Sequence, residues 1–241
     1  MAFRFKQFSV EDSLSAMKIG TDSVILGAWA DVIDAKNIMD VGTGCGLLAL
    51  MCAQRSDALI TAIDIDINAC KQAENNFKDS PWSNRLQCIH LSLKDFTKTQ
   101  MVKGTTLFNH IITNPPYFNN SLKSPDTGRN TARHNDDLPF NSLLEDCSTL
   151  LNTNGKLSVI IPFSENGQFE SLATDYELTV TRKLIILPKT EKEPNRILME
   201  FTKGESDHIE TGQLSIRDLH GNYTKEYVKL TELFYLGLHV G

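Results

Sequence analysis

The chain has 241 residues, 41% hydrophobic and 22% charged. That is enough for one sizeable α/β domain and excludes a disordered chain. The net charge of −6 argues against a protein that coats nucleic acid non-specifically, but leaves room for a local basic face. No apolar run approaches the roughly 20 residues of a membrane span, and the start, Met1 to Gln7, has no apolar secretory core.

Phe3, Phe5 and Phe8 alternate loosely with Arg4, Lys6 and Gln7, as in a small strand or hairpin lid. Thr21-Asp22 offers an N-cap, and Ser23 to Ile33 reads as a helix with the apolar face Val24, Ile25, Ala28, Trp29 and Val32. Asn37 to Val41 is a short buried strand running into Gly42-Thr43-Gly44-Cys45-Gly46, and Leu47 to Gln54 is helical by composition. A strand, a glycine turn and a helix make a nucleotide-type cradle, because glycines let the backbone approach a ligand and the helix start offers N–H groups. The spacing is Gly-x-Gly-x-Gly, not that of dinucleotide binders. Asp40 just before the loop would repel a pyrophosphate and suits a ligand with an ammonium group.

Leu59 to Asp64 is a second buried strand. Its closing acid lies roughly 20 residues past the glycine loop, where a carboxylate takes both ribose hydroxyls. Asp66 is the better cap for a helix over Asn68 to Lys78, which leaves Asp64 for the ribose. Leu86 to Leu91 is a third strand, followed by Ser92-Leu93-Lys94-Asp95.

Asn109 to Asn114 forms the fourth strand. Ile111 and Ile112 suit a covered position, and Pro115-Pro116 must end the strand at Asn114. The corner carries an amide (Asn114), a proline carbonyl (Pro115) and an aromatic ring (Tyr117). The Asn114 oxygen and the Pro115 carbonyl can each accept one N–H of a planar –NH2 group. That draws the nitrogen lone pair out of conjugation and stabilises positive charge as the nitrogen is alkylated. Tyr117 can stack on the flat group that carries the amine.

About twenty residues without periodicity follow, Phe118 to Leu138, a length that in a compact domain is usually functional. Lys123, Arg129, Arg133 and His134 there make it a candidate substrate clamp. Pro139 to Leu151 reads as a helix, Gly155 to Pro162 as a fifth strand, and Glu165 to Thr174 as a short helix. Leu178 to Leu187 and Arg196 to Phe201 are strands joined by a turn with Lys189 and Lys192. Leu214 to Ile216 is a small strand, and Leu230 to Leu236 a closing helix. Strands alternating with helices, then antiparallel strands, predict a doubly wound α/β sheet. The five cysteines (Cys45, Cys52, Cys70, Cys88, Cys147) are scattered and read as reduced thiols of a cytoplasmic protein. His90, His110 and His134 lack ligand spacing, so no metal is expected.

Asp40, the glycine loop and Asp64 together resemble the S-adenosylmethionine site of class I methyltransferases. With Asn114-Pro115-Pro116-Tyr117, the chain looks like an amino-group N-methyltransferase. Phe5-Lys6-Gln7-Phe8, Met17-Lys18-Ile19-Gly20-Thr21-Asp22, Leu26-Gly27-Ala28-Trp29-Ala30, Ala132-Arg133-His134 and Phe234-Tyr235-Leu236 extend the likeness over nearly the whole chain. They are similar to the bacterial tRNA1(Val) adenine N6-methyltransferase family.

The resemblance implies one methyltransferase domain over residues 1–241, with 1–22 as an N-terminal lid. It implies a mostly parallel seven-stranded sheet with an antiparallel C-terminal edge. S-adenosyl-L-methionine is the implied cofactor, with Thr21, Asp40, Gly42, Thr43, Gly44, Gly46, Asp64, Ile65, Ser92, Leu93 and Asn114 around it. For the cofactor adenine, the family's usual acid is replaced by Ser92. Either Ser92 or a backbone group makes that contact, or Asp95 reaches round. The implied substrate is the adenosine just 3′ of the anticodon of a valine tRNA, flipped from its loop, with Asn114, Pro115, Pro116 and Tyr117 as the catalytic corner. No membrane and no obligate protein partner are expected. Protein glutamine and ribosomal RNA guanine N2 methylation use related corners and are the alternatives.

Overall fold

The computed structural model describes residues 2–15, 18–103, 107–116 and 139–238. Tyr117 and the basic residues Lys123, Arg129, Arg133 and His134 lie outside them.

The sheet is built from strands most of which the sequence marks by β-branched and apolar runs. In chain order they are β3 (Asn37–Val41), β4 (Leu59–Asp64), β5 (Leu86–His90), β6 (Phe108–Thr113), β7 (Leu151–Pro162), β8 (Leu178–Leu187), β9 (Arg196–Lys203) and β10 (Glu210–Ser215). Their spatial order is β10-β8-β9-β7-β6-β3-β4-β5. The five strands β7-β6-β3-β4-β5 run parallel. β9 is antiparallel to both β7 and β8.

Because side chains alternate across a strand, each central strand feeds two cores. Ile38, Ile112 and Ile160 face the side covered by α1 (Thr21–Trp29), α2 (Leu47–Arg55) and α3 (Ile67–Lys78). Met39, Ile111, Val159 and Ile161 face the side covered by α4 (Leu93–Lys103), α5 (Phe140–Leu150) and α6 (Asn166–Thr174). That is the doubly wound arrangement expected, with the antiparallel segment at the C-terminal side.

The differences from expectation have local causes. Among the described residues the sheet has eight strands rather than seven, because β10 adds a parallel edge beside β8. Its sequence is mostly polar, with Leu214 as its one buried residue, so only its end was visible as a strand. α1 starts at Thr21 itself, with Gly20 as the N-cap and no side-chain cap, so Thr21-Asp22 form the first turn instead. Ser92 and Asp95 open a helix, α4, that apolar periodicity did not signal. The closing helix is α7 (Lys225–Thr231), earlier than the apolar run at 230–236. Thr224 caps it, accepting from the Tyr227 N–H at 3.2 Å. Of that apolar run, Leu233 and Leu236 are exposed while Phe234 is buried.

The N-terminal hairpin, β1 (Phe3–Arg4) with β2 (Ser9–Val10), is stitched to the C-terminal segment. Lys6 N–H donates to the Phe234 carbonyl at 2.8 Å. Phe5 stacks on Phe8 at 4.7 Å and on Tyr235 at 5.9 Å. The chain then crosses towards the carboxyl ends of β3 and β4. Asn76 and Gln72, four apart on one face of α3 and both buried, hold it there. Asn76 bonds both the N–H and the carbonyl of Glu11 (3.0 and 2.8 Å), and Gln72 accepts from Leu14 N–H at 3.1 Å.

Among the described residues no helix is long and apolar enough to cross a membrane.

Candidate active site

Strand order reverses at β3. From it the chain moves to β4 and β5 on one side, and later to β6 and β7 on the other. Connections diverging from neighbouring strands open a crevice at the strands' carboxyl ends, the usual ligand position in open α/β sheets. A cavity of about 360 Å³ lies there. It takes in the glycine loop after β3, the acid that ends β4, the turn after β5 and the proline corner after β6. Its size and mainly apolar lining suit a small organic ligand.

The loop has its shape because Gly42, Gly44 and Gly46 all have positive φ (69°, 56° and 85°), a region that favours glycine. A Cβ at Gly46 would fall 2.5 Å from the Phe77 ring, so this glycine lets α2 pack against α3. A Cβ at Gly42 would meet nothing within 4 Å, and so would project into open space beside the cavity. That is the place in the cradle where a ligand can approach the backbone.

Asp40 does not line the cavity. It is fully buried beneath the loop, and its Oδ2 accepts from Thr43 Oγ1 at 2.6 Å and from Ala49 N–H at 3.1 Å. It thereby ties the loop and satisfies an N–H of the first turn of α2, which has no intrahelical partner. Burial pushes its pKa from 3.8 to about 7, against the opposing hydrogen bond from Thr43. Among the described residues its Oδ1 has no hydrogen-bond partner. Asp40 thus acts on the loop's shape from below, rather than facing a ligand ammonium.

Asp64 does line the cavity. Its Oδ2 accepts from Gly44 N–H at 2.8 Å and its Oδ1 from Asp66 N–H at 2.9 Å. Each carboxylate oxygen has more than one acceptor position, so those bonds aim the group while leaving capacity for a ligand diol. Asp66 is the cap of α3, accepting from Asn68 N–H at 2.8 Å, as the sequence indicated. Asn76 reaches the loop as well, donating to the Cys45 carbonyl at 2.7 Å.

Beyond β5, Ser92 and Leu93 line the cavity and Asp95 does not. Ser92 Oγ donates to Asp95 Oδ2 at 2.7 Å and accepts from Asp95 N–H at 3.1 Å, a reciprocal cap on α4. Asp95 is therefore committed to the helix start. Ile65 also lines the cavity, 52% exposed, an apolar surface open to a flat ligand.

At the corner, Thr113 Oγ1 donates to the Val41 carbonyl at 2.9 Å, fastening the end of β6 to β3. Asn114, Pro115 and Pro116 line the cavity. Asn114 Nδ2 donates to Ser23 Oγ at 2.9 Å. Thr21 is exposed on α1 and does not line the cavity.

Sequence reasoning missed Ser15, Lys18 and Ile19 of the N-terminal strap, and Ser23 of α1, all of which do. The signal for Ser23 was a lone hydroxyl beside an apolar helix face. For the strap it was the pair of amides, Gln72 and Asn76, on the buried face of α3.

His110 is not part of the site. It is buried, its Nε2 lies 2.9 Å from Ser158 Oγ, and burial lowers its pKa to about 3. Among the described residues no cluster of three or more His, Cys, Asp or Glu could hold a metal.

Residues 14–165, which hold the glycine loop, Asp64 and the proline corner, match the family model "Methyltransferase small domain". The chain belongs to this methyltransferase family. Curated relatives agree over nearly the full length. A protein of Phocaeicola vulgatus is 44% identical over 236 residues, 98% of each chain, and one of Bacteroides fragilis is 42% identical over 234 residues, 97% of each. A relative from Shewanella loihica is 41% identical over 99% of this chain and 100% of its own. All three are named tRNA1(Val) (adenine(37)-N6)-methyltransferase.

Solved methyltransferases share the fold. A predicted O-methyltransferase from Agrobacterium tumefaciens aligns with a TM-score of 0.69 at 18% identity, covering 88% of this chain and 96% of its own. A ribosomal protein L11 methylase from Lactobacillus delbrueckii gives 0.53 at 16%, covering 76% and 78%.

Proposed function

We propose that the protein methylates N6 of an adenosine in tRNA, the one next to the anticodon of a valine tRNA, using S-adenosyl-L-methionine. The observation that carries this reading is that the Asn114-Pro115-Pro116 corner and the glycine loop open onto one cavity. The relatives' names supply the RNA and the atom.

S-adenosylmethionine, when bound, supplies a methyl group on a sulfonium, ready for transfer to a nitrogen. The cradle fits it. Gly42 and Gly44 let the backbone come close, Asp64 takes the ribose hydroxyls, and Ser92, Leu93 and Ile65 border the adenine. Thr43, Gly46 and Asp40 hold the loop in shape. The strap that brings Ser15, Lys18 and Ile19 to the cavity wall acts as its lid.

At the other half, the Asn114 oxygen and the Pro115 carbonyl accept the two hydrogens of the target amine. Positioning of that amine accounts for most of the rate. Tyr117 stacks on the flipped base, and Lys123, Arg129, Arg133 and His134 contact the RNA.

Methyl transfer from labelled S-adenosylmethionine to total tRNA of a strain lacking the gene, followed by nucleoside analysis, tests the proposal. N6-methyladenosine in a valine tRNA is expected. Label in ribosomal RNA or in protein glutamine instead would keep the chemistry and overturn the substrate.

A further inference from the structure

The first turn of α1 meets the amine corner. Ser23, its third residue, accepts at Oγ the Asn114 Nδ2–H at 2.9 Å, across 91 positions of sequence. The turn is anchored to the sheet beside it. Asp22 Oδ2 pairs with Arg196 Nε at 2.8 Å, and Arg196 is the first residue of β9. Val24 and Ile25, next along α1, are fully buried. Ser23 is thus a fixed point against which Asn114 rests, and it lines the same cavity.

An amide has two unlike ends, and only one of them suits this site. The target amine presents N–H groups, so the Asn114 oxygen must face it. Turned by a half rotation, the amide would set its own N–H2 against the amine. In the structure the Ser23 oxygen takes an Nδ2 hydrogen, which sets the amide oxygen on the opposite side of the group.

We propose that Ser23 is a positioning residue for methyl transfer, holding the Asn114 amide with its oxygen towards the incoming amine. The inference rests on the role given to Asn114 in the proposed function. It reaches a residue that touches neither reacting atom. It also gives the N-terminal helix a part in the chemistry through a residue that the sequence reading did not single out.

The test compares wild type with Ser23→Ala and Ser23→Thr, by steady-state methyl transfer to unmodified tRNA. Loss of one neutral hydrogen bond corresponds to a fall in kcat of roughly 3–10-fold for Ser23→Ala. KM for S-adenosylmethionine should stay unchanged, and Ser23→Thr, which keeps the hydroxyl, should restore most of the rate. Wild-type kcat in Ser23→Ala would overturn the proposal, and so would a loss carried by cofactor KM that threonine does not restore.

A second readout needs no turnover. The Asn114 side-chain amide resonances, assigned by their disappearance in Asn114→Asp, should move in Ser23→Ala. Unchanged resonances overturn the proposal. Wild-type protein that transfers no methyl group to tRNA overturns the functional reading instead, and the resonances still decide whether Ser23 holds Asn114.

Discussion

The glycine loop and the proline corner leave adjacent strands, β3 and β6, yet they are held in opposite ways. The loop is shaped by side chains from elsewhere. Asp40 ties it from below, Asp64 from β4 and Asn76 from α3. The corner owes its stiffness to covalent chemistry, two prolines in succession, with Thr113 fastening the strand end and Ser23 holding the amide. The loop is therefore part of the fold's stability, and damage there should cost both folding and ligand binding. The corner is a rigid projection whose side chain can change while the fold stays.

Gly46→Ala should do the most damage on the loop side. The new Cβ would sit 2.5 Å from the Phe77 ring at a φ of +85°, so overpacking adds to backbone strain. A loss of about 3 kcal/mol is expected from chemical denaturation, with weakened cofactor binding. Stability within 1 kcal/mol of wild type would mean that α2 and α3 part easily.

Asn76→Ala comes next. It removes partners from the Glu11 N–H, the Glu11 carbonyl and the Cys45 carbonyl at once. The expected cost is about 2 kcal/mol. Faster proteolysis of the strap over residues 11–15 would show that this contact holds the lid. A stable variant with an unchanged strap would separate lid from loop.

Asp40→Asn should have the smallest effect at neutral pH and the clearest sign with pH. The folded carboxyl ionises near pH 7, against 3.8 ordinarily, so between those values the folded state keeps a proton that the unfolded state has lost. Its contribution to stability is then full below about pH 4 and declines as pH rises towards 7. Asparagine, which does not titrate, should flatten that part of the stability curve. An identical slope in the variant would assign the pH dependence to other groups.

The glycine-loop half of the cavity was the more legible in sequence. The Gly42–Gly46 spacing, the strand before it and the acid at Asp64 are all local signals, and the cradle formed where they indicated. The proline corner was legible for the same reason, since Pro115 and Pro116 act on their own backbone. What sequence did not show depends on contacts across long separations. Asp40 reads as a ligand-facing acid in the chain, and turns inward only because Thr43 and Ala49 fold over it. Ser23 and Asn114, or Glu11 and Asn76, become neighbours only when α1 and α3 are laid beside the sheet. β10 was half visible because a mostly polar edge strand has little apolar alternation to read.

The most direct test of the central claim, that the loop binds and the corner reacts, is one comparison on Asn114→Ala. Cofactor affinity is measured by titration calorimetry, and transfer to unmodified tRNA by single turnover at saturating S-adenosylmethionine. The account predicts affinity within about twofold of wild type, and transfer slowed roughly 10²–10³-fold, as for loss of one preorganised electrostatic contact. Affinity lost in step with transfer would contradict it, and would make Asn114 part of the cofactor cradle instead.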